Sequence, residues 1–78
     1  MSHPPILRLG SQGSDVERLQ QYLSAFGYDI KTDGDFGKHT ETALRKFQQQ
    51  YSLSVDGVVG PETGRQLNMA FMNLRSKL

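Results

Sequence analysis

The first apolar stripe along the chain predicts a helix near residues 15–26. Ser14 followed by Glu17 is the pattern of a capping box, in which two side chains satisfy backbone N–H groups at the helix start. Gly27 suits the left-handed conformation that often follows a helix C-terminus. The stripe itself recurs at spacings of three and four residues, as one face of an α-helix does, through Val16, Leu19, Leu23 and Phe26.

Two further stripes predict helices near residues 38–51 and 61–75. Pro61 suits a first helical position because its φ is fixed and its missing N–H is not needed there. Residues 1–8, with two prolines, are expected to form an extended lead-in, and residues 68–78 either lengthen the last helix or begin a linker. The two stripes are Thr40, Ala43, Leu44, Phe47 and Tyr51, then Thr63, Leu67, Ala70, Phe71 and Leu74.

A turn motif occurs twice, 23 residues apart. Residues 33–40 and residues 56–63 both read D-G-x-φ-G-x-x-T, where φ is apolar, and Leu44 and Leu67 extend the match. Asp-Gly favours a tight turn, and the apolar residue is expected to plug the core. Three short helices joined by two such turns predict an all-α fold, a compact three-helix bundle that occupies residues 1–78 as a single domain.

Charge and hydropathy argue against two classes of partner. Nine Lys/Arg and eight Asp/Glu leave a net charge of +1, whereas nucleic-acid binders usually carry a basic face. No apolar run approaches the roughly 20 residues that cross a bilayer, so no membrane partner is expected. The first residues lack the charged and apolar regions of a signal peptide. Export is therefore expected by lysis, by another route, or as part of a longer protein.

The sequence also gives little support for a metal site or for nucleophilic catalysis. Asp29, Asp33 and Asp35 suggest a calcium loop, but counting from Asp29 puts Lys31 at the third position and Thr40 at the twelfth, where oxygen ligands and glutamate are needed. His3 and His39 have no partners at zinc-ligand spacing. The chain has no cysteine and no nucleophile-elbow sequence. We therefore expect a protein that is not an enzyme and that needs no cofactor or metal.

The pattern resembles a known family over about residues 7–67. The opening, residues 9–20, reads Leu-Gly-Ser-Gln-Gly-Ser-Asp-Val-Glu-Arg-Leu-Gln, and the two repeated turns follow in order. These stretches are similar to the bacterial peptidoglycan-binding domain, type 1. The helical arrangement also resembles the pro-domain of matrix metalloproteinases, whose inhibitory cysteine is absent here. Further matching positions are Gly27, Tyr28, Ala43, Phe47, Gln48, Leu53 and Thr63.

The resemblance implies a non-catalytic, monomeric module that binds peptidoglycan, through its glycan, its stem peptide or both. It would target a covalently attached amidase, peptidase or endolysin to its substrate at the cell wall or in the periplasm. One alternative is a protein-interaction module that kept the fold and lost the wall ligand. Another is a three-helix DNA-binding domain, for which the third helix offers only Arg65, Gln66 and Asn68.

The two copies of the turn differ in polarity, and this difference predicts the site. The second copy places Val58 and Pro61 where the first carries Asp35 and Lys38, and His39 of the first copy is also polar. Polar groups on a loop braced by helices are a common way to build a site. Two roles stay open: Phe36 as core plug or sugar platform, and Gln20 and Gln48 as loop caps or ligand contacts. The predicted ligand-binding residues are Tyr28, Lys31, Asp33, Asp35, Phe36 and Thr40.

Overall fold

Three helices account for most of the chain, and their bounds lie within one residue of the predicted ones. The computed structural model of the protein describes residues 6–76. Helix α1 spans Ser14–Ala25, α2 spans Lys38–Gln50 and α3 spans Pro61–Ser76. Between residues 6 and 76 the β-pairing consists of two isolated bridges, and the predicted all-α fold is confirmed. Across the same residues no helix combines the length and the apolar character that a membrane span requires.

The start of α1 differs from the prediction. Ser14 is the first helical residue, the N-cap is Gly13, and no side chain caps the helix, so the capping box with Glu17 is wrong. A tertiary contact sets the start instead, since the N–H of Gly13 donates to the Gly34 carbonyl at 3.0 Å. At the other end Phe26 is the C-cap and Gly27 has a φ of 105°, which confirms the predicted helix end.

Most residues of the predicted apolar stripes form the core, whereas Tyr51 and Leu74 are each 38% exposed. Helix α1 lies between the other two and packs against both. Phe47 of α2 is 1% exposed and stacks on the half-buried Phe26, with ring centroids 5.4 Å apart. Tyr22 of α1 stacks on Phe71 of α3 at 4.3 Å. The buried apolar residues are Leu7, Val16, Leu19, Leu23, Phe36, Ala43, Leu44, Phe47, Val59, Leu67 and Ala70.

The segment before α1 pairs with both repeated turns. Leu7 exchanges two backbone hydrogen bonds with Val59, at 2.8 and 3.2 Å, in an antiparallel bridge. Phe36 donates to the Ser11 carbonyl at 2.9 Å and accepts from the N–H of Gly10 at 3.0 Å. Phe36 and Val59 hold the same apolar position in the two copies of the motif. One short extended segment therefore secures both apolar plugs against the core.

A buried glutamine of α1 organises the first turn. The Oε1 atom of Gln20 accepts from the N–H of Gly34 at 2.8 Å. Its Nε2 lies within hydrogen-bond distance of the Asp33 carboxylate (3.1 Å), the Asp35 carbonyl (2.8 Å) and the Thr40 hydroxyl (3.0 Å). Three acceptors share the two hydrogens of one amide. The side chain is 1% exposed, so it caps the loop, which answers the question that the sequence left open.

Gln48 repeats this arrangement at the end of α2. Its Oε1 accepts from the N–H of Gly57 at 3.0 Å. Its Nε2 lies 2.9 Å from the Asp56 carboxylate, 3.0 Å from the Val58 carbonyl and 3.2 Å from the Thr63 hydroxyl. The threonines of the motif thus accept hydrogen bonds from the preceding helix. We call each glutamine with its Asp, Gly and Thr partners a glutamine bracket.

The brackets show that the internal repeat is longer than the turn motif. Gln20 and Gln48 are 28 residues apart, whereas the turns are 23 apart. The helix residues Val16, Leu19 and Leu23 correspond to Leu44, Phe47 and Tyr51 at the same offset of 28. The first loop is therefore five residues longer than the second. A self-comparison that allows this gap detects the bracket glutamines from sequence.

The motif glycines at the brackets are required by backbone conformation. Gly34 has a φ of 77° and Gly57 a φ of 71°, a region that residues with a side chain rarely adopt. At Gly57 a Cβ atom would also come within 3.1 Å of the Arg45 and Glu41 side chains. The second turn is thus closely covered by α2.

We predict that Gln48→Ala lowers the free energy of unfolding by about 2–4 kcal/mol, because it removes four polar contacts and leaves the N–H of the buried Gly57 without its acceptor. The matched control is Gln49→Ala, since Gln49 is the exposed neighbour and should change stability by less than about 0.5 kcal/mol. Urea unfolding of both variants measures the difference. Equal stability of the two variants would contradict the structural role of the bracket.

Candidate functional site

The loop between α1 and α2 forms one wall of a small polar cleft. It leaves α1 through Gly27, and the N–H of Tyr28 donates back to the Leu23 carbonyl at 3.1 Å. It then reaches the first turn, where the glutamine bracket holds its conformation. We call this the first-repeat cleft. It has a volume of about 230 Å³ and is lined by Gln20, Lys31, Asp33, Asp35, Gly37, Lys38, His39 and Thr40.

Four of the six predicted site residues lie around this cleft. Lys31, Asp33 and Asp35 are exposed. Thr40 also contributes to the lining, but it is 3% exposed and its hydroxyl already accepts from Gln20 at 3.0 Å. The structure therefore brings together three accessible charged side chains and one threonine that serves mainly to hold the loop.

Phe36 does not belong to this surface. Its side chain is 2% exposed and packs in the core, so its ring offers no face to a ligand. The alternative interpretation of Phe36 as a plug is confirmed, and its inclusion among the ligand contacts is corrected. The physical reason is the pairing of its backbone with Gly10 and Ser11, which directs the chain inward at this position.

Tyr28 lies apart from the cleft. It is half-buried, packs against the edge of the core, and its hydroxyl donates to Gln50 Oε1 at 3.2 Å. Burial, and secondarily the nearby Tyr51, raise the pKa of the Tyr28 phenol. The ring is therefore only partly accessible, and it does not line the cleft.

The two bracket aspartates are held as carboxylates. Asp33 Oδ1 accepts from the N–H of Asp35 at 3.0 Å, and Asp56 Oδ1 accepts from the N–H of Val58 at 2.9 Å. These backbone hydrogen bonds, followed by the amide of Gln20 or Gln48, hold the pKa of each carboxyl below its ordinary value of 3.8. Asp33 is thus engaged in shaping the turn, and Asp35 is the cleft carboxylate that projects beside it.

Two residues that line the cleft, Lys38 and His39, are absent from the predicted site. Lys38 and His39 begin α2 and are exposed, where Pro61 and Glu62 begin α3. Sequence comparison detected the difference in charge but not that both side chains line the same cavity as Lys31. Within residues 6–76 no group of three His, Asp or Glu side chains is placed to hold a metal ion.

Comparison with known proteins identifies the family. The model of the peptidoglycan binding domain family matches residues 12–67, which include all of α1 and α2, both brackets and the first half of α3. The chain belongs to this family. The match begins at Gln12, just after the paired residues Leu7, Gly10 and Ser11, and runs through Leu67 of the core, so it covers the structural elements that shape the cleft.

Proteins with related sequences include a spore cortex-lytic enzyme and a carboxypeptidase. The chain is 41% identical over 63 residues to the spore cortex-lytic enzyme of Halalkalibacterium halodurans, covering 80% of this chain and 19% of that enzyme. It is 39% identical over 57 residues to the zinc D-Ala-D-Ala carboxypeptidase of Streptomyces albus G, covering 69% of this chain and 22% of that enzyme. The chain thus spans less than a quarter of either relative.

Solved structures share the fold as well as the sequence. The SleB N-terminal domain superposes with a TM-score of 0.85 at 39% identity, covering 91% of this chain and 99% of that domain. The Burkholderia AP3 phage endolysin gives a TM-score of 0.78 at 40% identity, covering 81% of this chain and 24% of the endolysin. The fold is therefore one that stands alone as a domain and also occurs as a minor part of a larger protein, the endolysin.

We predict that the brackets make the thermal stability of the fold depend on pH in the acidic range. A lowered folded-state pKa means that the two carboxylates contribute stability above the ordinary pKa of about 4, and that this contribution is lost as pH falls through the lowered value. The melting temperature of Asp33→Asn/Asp56→Asn should therefore fall less between about pH 5 and pH 3 than that of the parent chain. The control is Asp15→Asn/Asp29→Asn, which changes two exposed aspartates outside the brackets. If the control flattens the profile as much, the brackets do not cause the pH dependence.

Proposed function

We propose that the protein is a non-catalytic module that binds peptidoglycan and holds an attached wall hydrolase on its substrate. The observation that carries this proposal is the family match over residues 12–67, together with relatives that are wall-lytic enzymes several times the length of this chain. A second contact to the substrate raises the effective concentration of a tethered catalytic domain. The attached hydrolase would act at the cell wall or in the periplasm.

The chemistry of the described residues supports binding over catalysis. His39 is exposed at the start of α2, and no serine or carboxylate hydrogen bonds to its ring within residues 6–76. The carboxylates with a shifted pKa are both held in the ionised form by structural hydrogen bonds. This is opposite to the raised pKa that a general acid needs. The 78-residue chain is accordingly proposed to act as a monomer without a cofactor.

The first-repeat cleft is the proposed contact surface suggested by the sequence. Lys31 and Lys38 can meet a carboxylate of the wall, and Asp35 can meet an amine or sugar hydroxyls. These groups are exposed, so each contributes modestly to affinity, and binding of a single wall unit should be weak. Balanced charge at the cleft and a net charge of +1 do not favour nucleic acid as the ligand.

A protein-interaction function is the second candidate, and the surface of α3 favours it. Met69 is 54% exposed, Met72 is 61% exposed and Leu74 is 38% exposed. Exposed apolar side chains grouped on one helix are typical of interaction surfaces. Such a surface can coexist with wall binding, for example against the attached hydrolase.

We expect the chain to co-sediment with purified peptidoglycan sacculi, and this binding to persist at moderate salt because little of it depends on net charge. Lys31→Ala/Asp35→Ala should weaken co-sedimentation several-fold, by about 1 kcal/mol in total. The control is Asp29→Ala/Lys46→Ala, which removes the same two charges at exposed positions outside the cleft. Unchanged binding by the Lys31/Asp35 variant would exclude the cleft, and a parent chain that stays in the supernatant with walls of several types would favour the interaction module.

We also expect the isolated chain to hydrolyse nothing. Incubation with sacculi should release no soluble muropeptides and no new reducing ends, because no described side chains form an acid–base or nucleophilic arrangement. Release that disappears on substitution of a single residue of this chain would show that it is an enzyme.

A further inference from the structure

A second and larger cavity lies between α1 and α3. Its volume is about 570 Å³, against about 230 Å³ for the first-repeat cleft, and the two share no lining residue. We call it the α1–α3 groove. Its floor consists of buried side chains of the core and of the N-terminal segment, namely Leu7, Leu19, Val59 and Leu67. It is therefore an open groove with an apolar floor.

Two arginines stand on opposite walls of the groove. Arg18 extends from α1 and Arg65 from α3, and both are exposed. A guanidinium presents a planar set of donors that matches a carboxylate in a bidentate geometry. Asp15 and Asn68 add an acceptor and an amide on the same two walls. The groove thus combines an apolar floor with two separate sites for acidic groups.

Gly64 keeps the groove open. Glycine is unfavourable inside a helix relative to alanine, yet Gly64 lies in the second turn of α3 and lines the groove. Its backbone does not require glycine, and an added Cβ would meet only Val59 Cγ1, at an ordinary 3.7 Å. Neither packing nor conformation explains the glycine. The groove explains the glycine, because a longer side chain at this position would project into it.

We propose that the α1–α3 groove binds the acidic stem peptide of peptidoglycan. The floor takes the small apolar side chains of the peptide, and Arg18 and Arg65 each take a carboxylate. An uncharged sugar chain would leave both guanidiniums unused. This inference rests on the proposed wall-binding function and adds a ligand class and a location to it.

The test is a titration of the isotopically labelled 78-residue chain with a synthetic free stem tetrapeptide, followed by backbone amide resonances. The largest shifts should fall on Arg18, Tyr22, Gly64 and Arg65. Arg18→Gln and Arg65→Gln should each raise the Kd about fivefold, as expected for a partly exposed charge pair. The control is Arg75→Gln, which makes the same charge change on the same helix outside the groove and should leave the Kd unchanged.

Occlusion of the groove provides an independent variant. Gly64→Leu should abolish measurable binding of the tetrapeptide, whereas Gly64→Ala should retain most of it and raise the melting temperature, because alanine favours the helix. Thermal unfolding of each variant shows whether it is folded. A Gly64→Leu chain that folds and binds like the parent overturns the proposal, as does full binding by both arginine variants.

The result also separates this inference from the proposed function. Shifts confined to the first-repeat cleft would overturn the groove as the stem-peptide site while leaving wall binding intact. Titration with a neutral N-acetylglucosamine oligomer should produce no shifts in the groove. If that oligomer binds there, and the arginine variants bind it equally well, the ligand is glycan and the stem-peptide assignment is wrong. Failure of the parent chain to co-sediment with sacculi would instead reject the proposed function itself.

Discussion

The two loops of this fold depend on a primary amide that reaches from one helix into the turn that begins the next. Only glutamine or asparagine offers two donor hydrogens and an acceptor on one short planar group, and glutamine has the length to reach. In each bracket the amide oxygen accepts from a glycine N–H, and the nitrogen serves a carboxylate, a carbonyl and a hydroxyl. A glutamate at this position would have no donors for those three oxygens. An apolar residue would leave the buried threonine hydroxyl without this donor and the glycine N–H without its acceptor, which is costly.

The brackets matter because the core is thin. A domain of this length buries only roughly 60% of its unfolded surface, and the chain has no disulfide to compensate. Among the buried side-chain polar atoms of residues 6–76, none lacks a hydrogen-bond partner. The N-terminal segment completes the frame, since it pairs with Val59 in one turn and with Phe36 in the other. Two loops without regular structure are thereby fixed by side-chain and backbone hydrogen bonds and not by a sheet.

The same frame carries two different surfaces. In the second copy the side chains of Glu41 and Arg45 cover Gly57, whereas in the first copy the position equivalent to Glu41 is Gly13, so only backbone lies above Gly34. The first turn is consequently open and polar, with a longer loop before it. The second turn instead supplies an apolar residue, Val59, to the floor of the α1–α3 groove. A duplicated structural unit has thus produced two unlike cavities on one small scaffold.

Helix positions, the repeated turn, the family and the absence of a nucleophile motif could all be derived from the sequence, because periodicity and motif spacing are local properties. The start of α1 could not, since Gly13 is placed by a hydrogen bond to Gly34 across the fold and not by the neighbouring Ser14. The role of Phe36 also depended on tertiary structure, because its backbone pairs with a segment 25 or more residues away. The bracket glutamines are visible in the sequence. Whether their amides contact solvent or three oxygen acceptors depends on where the following loop lies in the folded structure. The α1–α3 groove is formed by residues from four separate parts of the chain, and no local pattern reports a cavity that exists only once those parts have packed together.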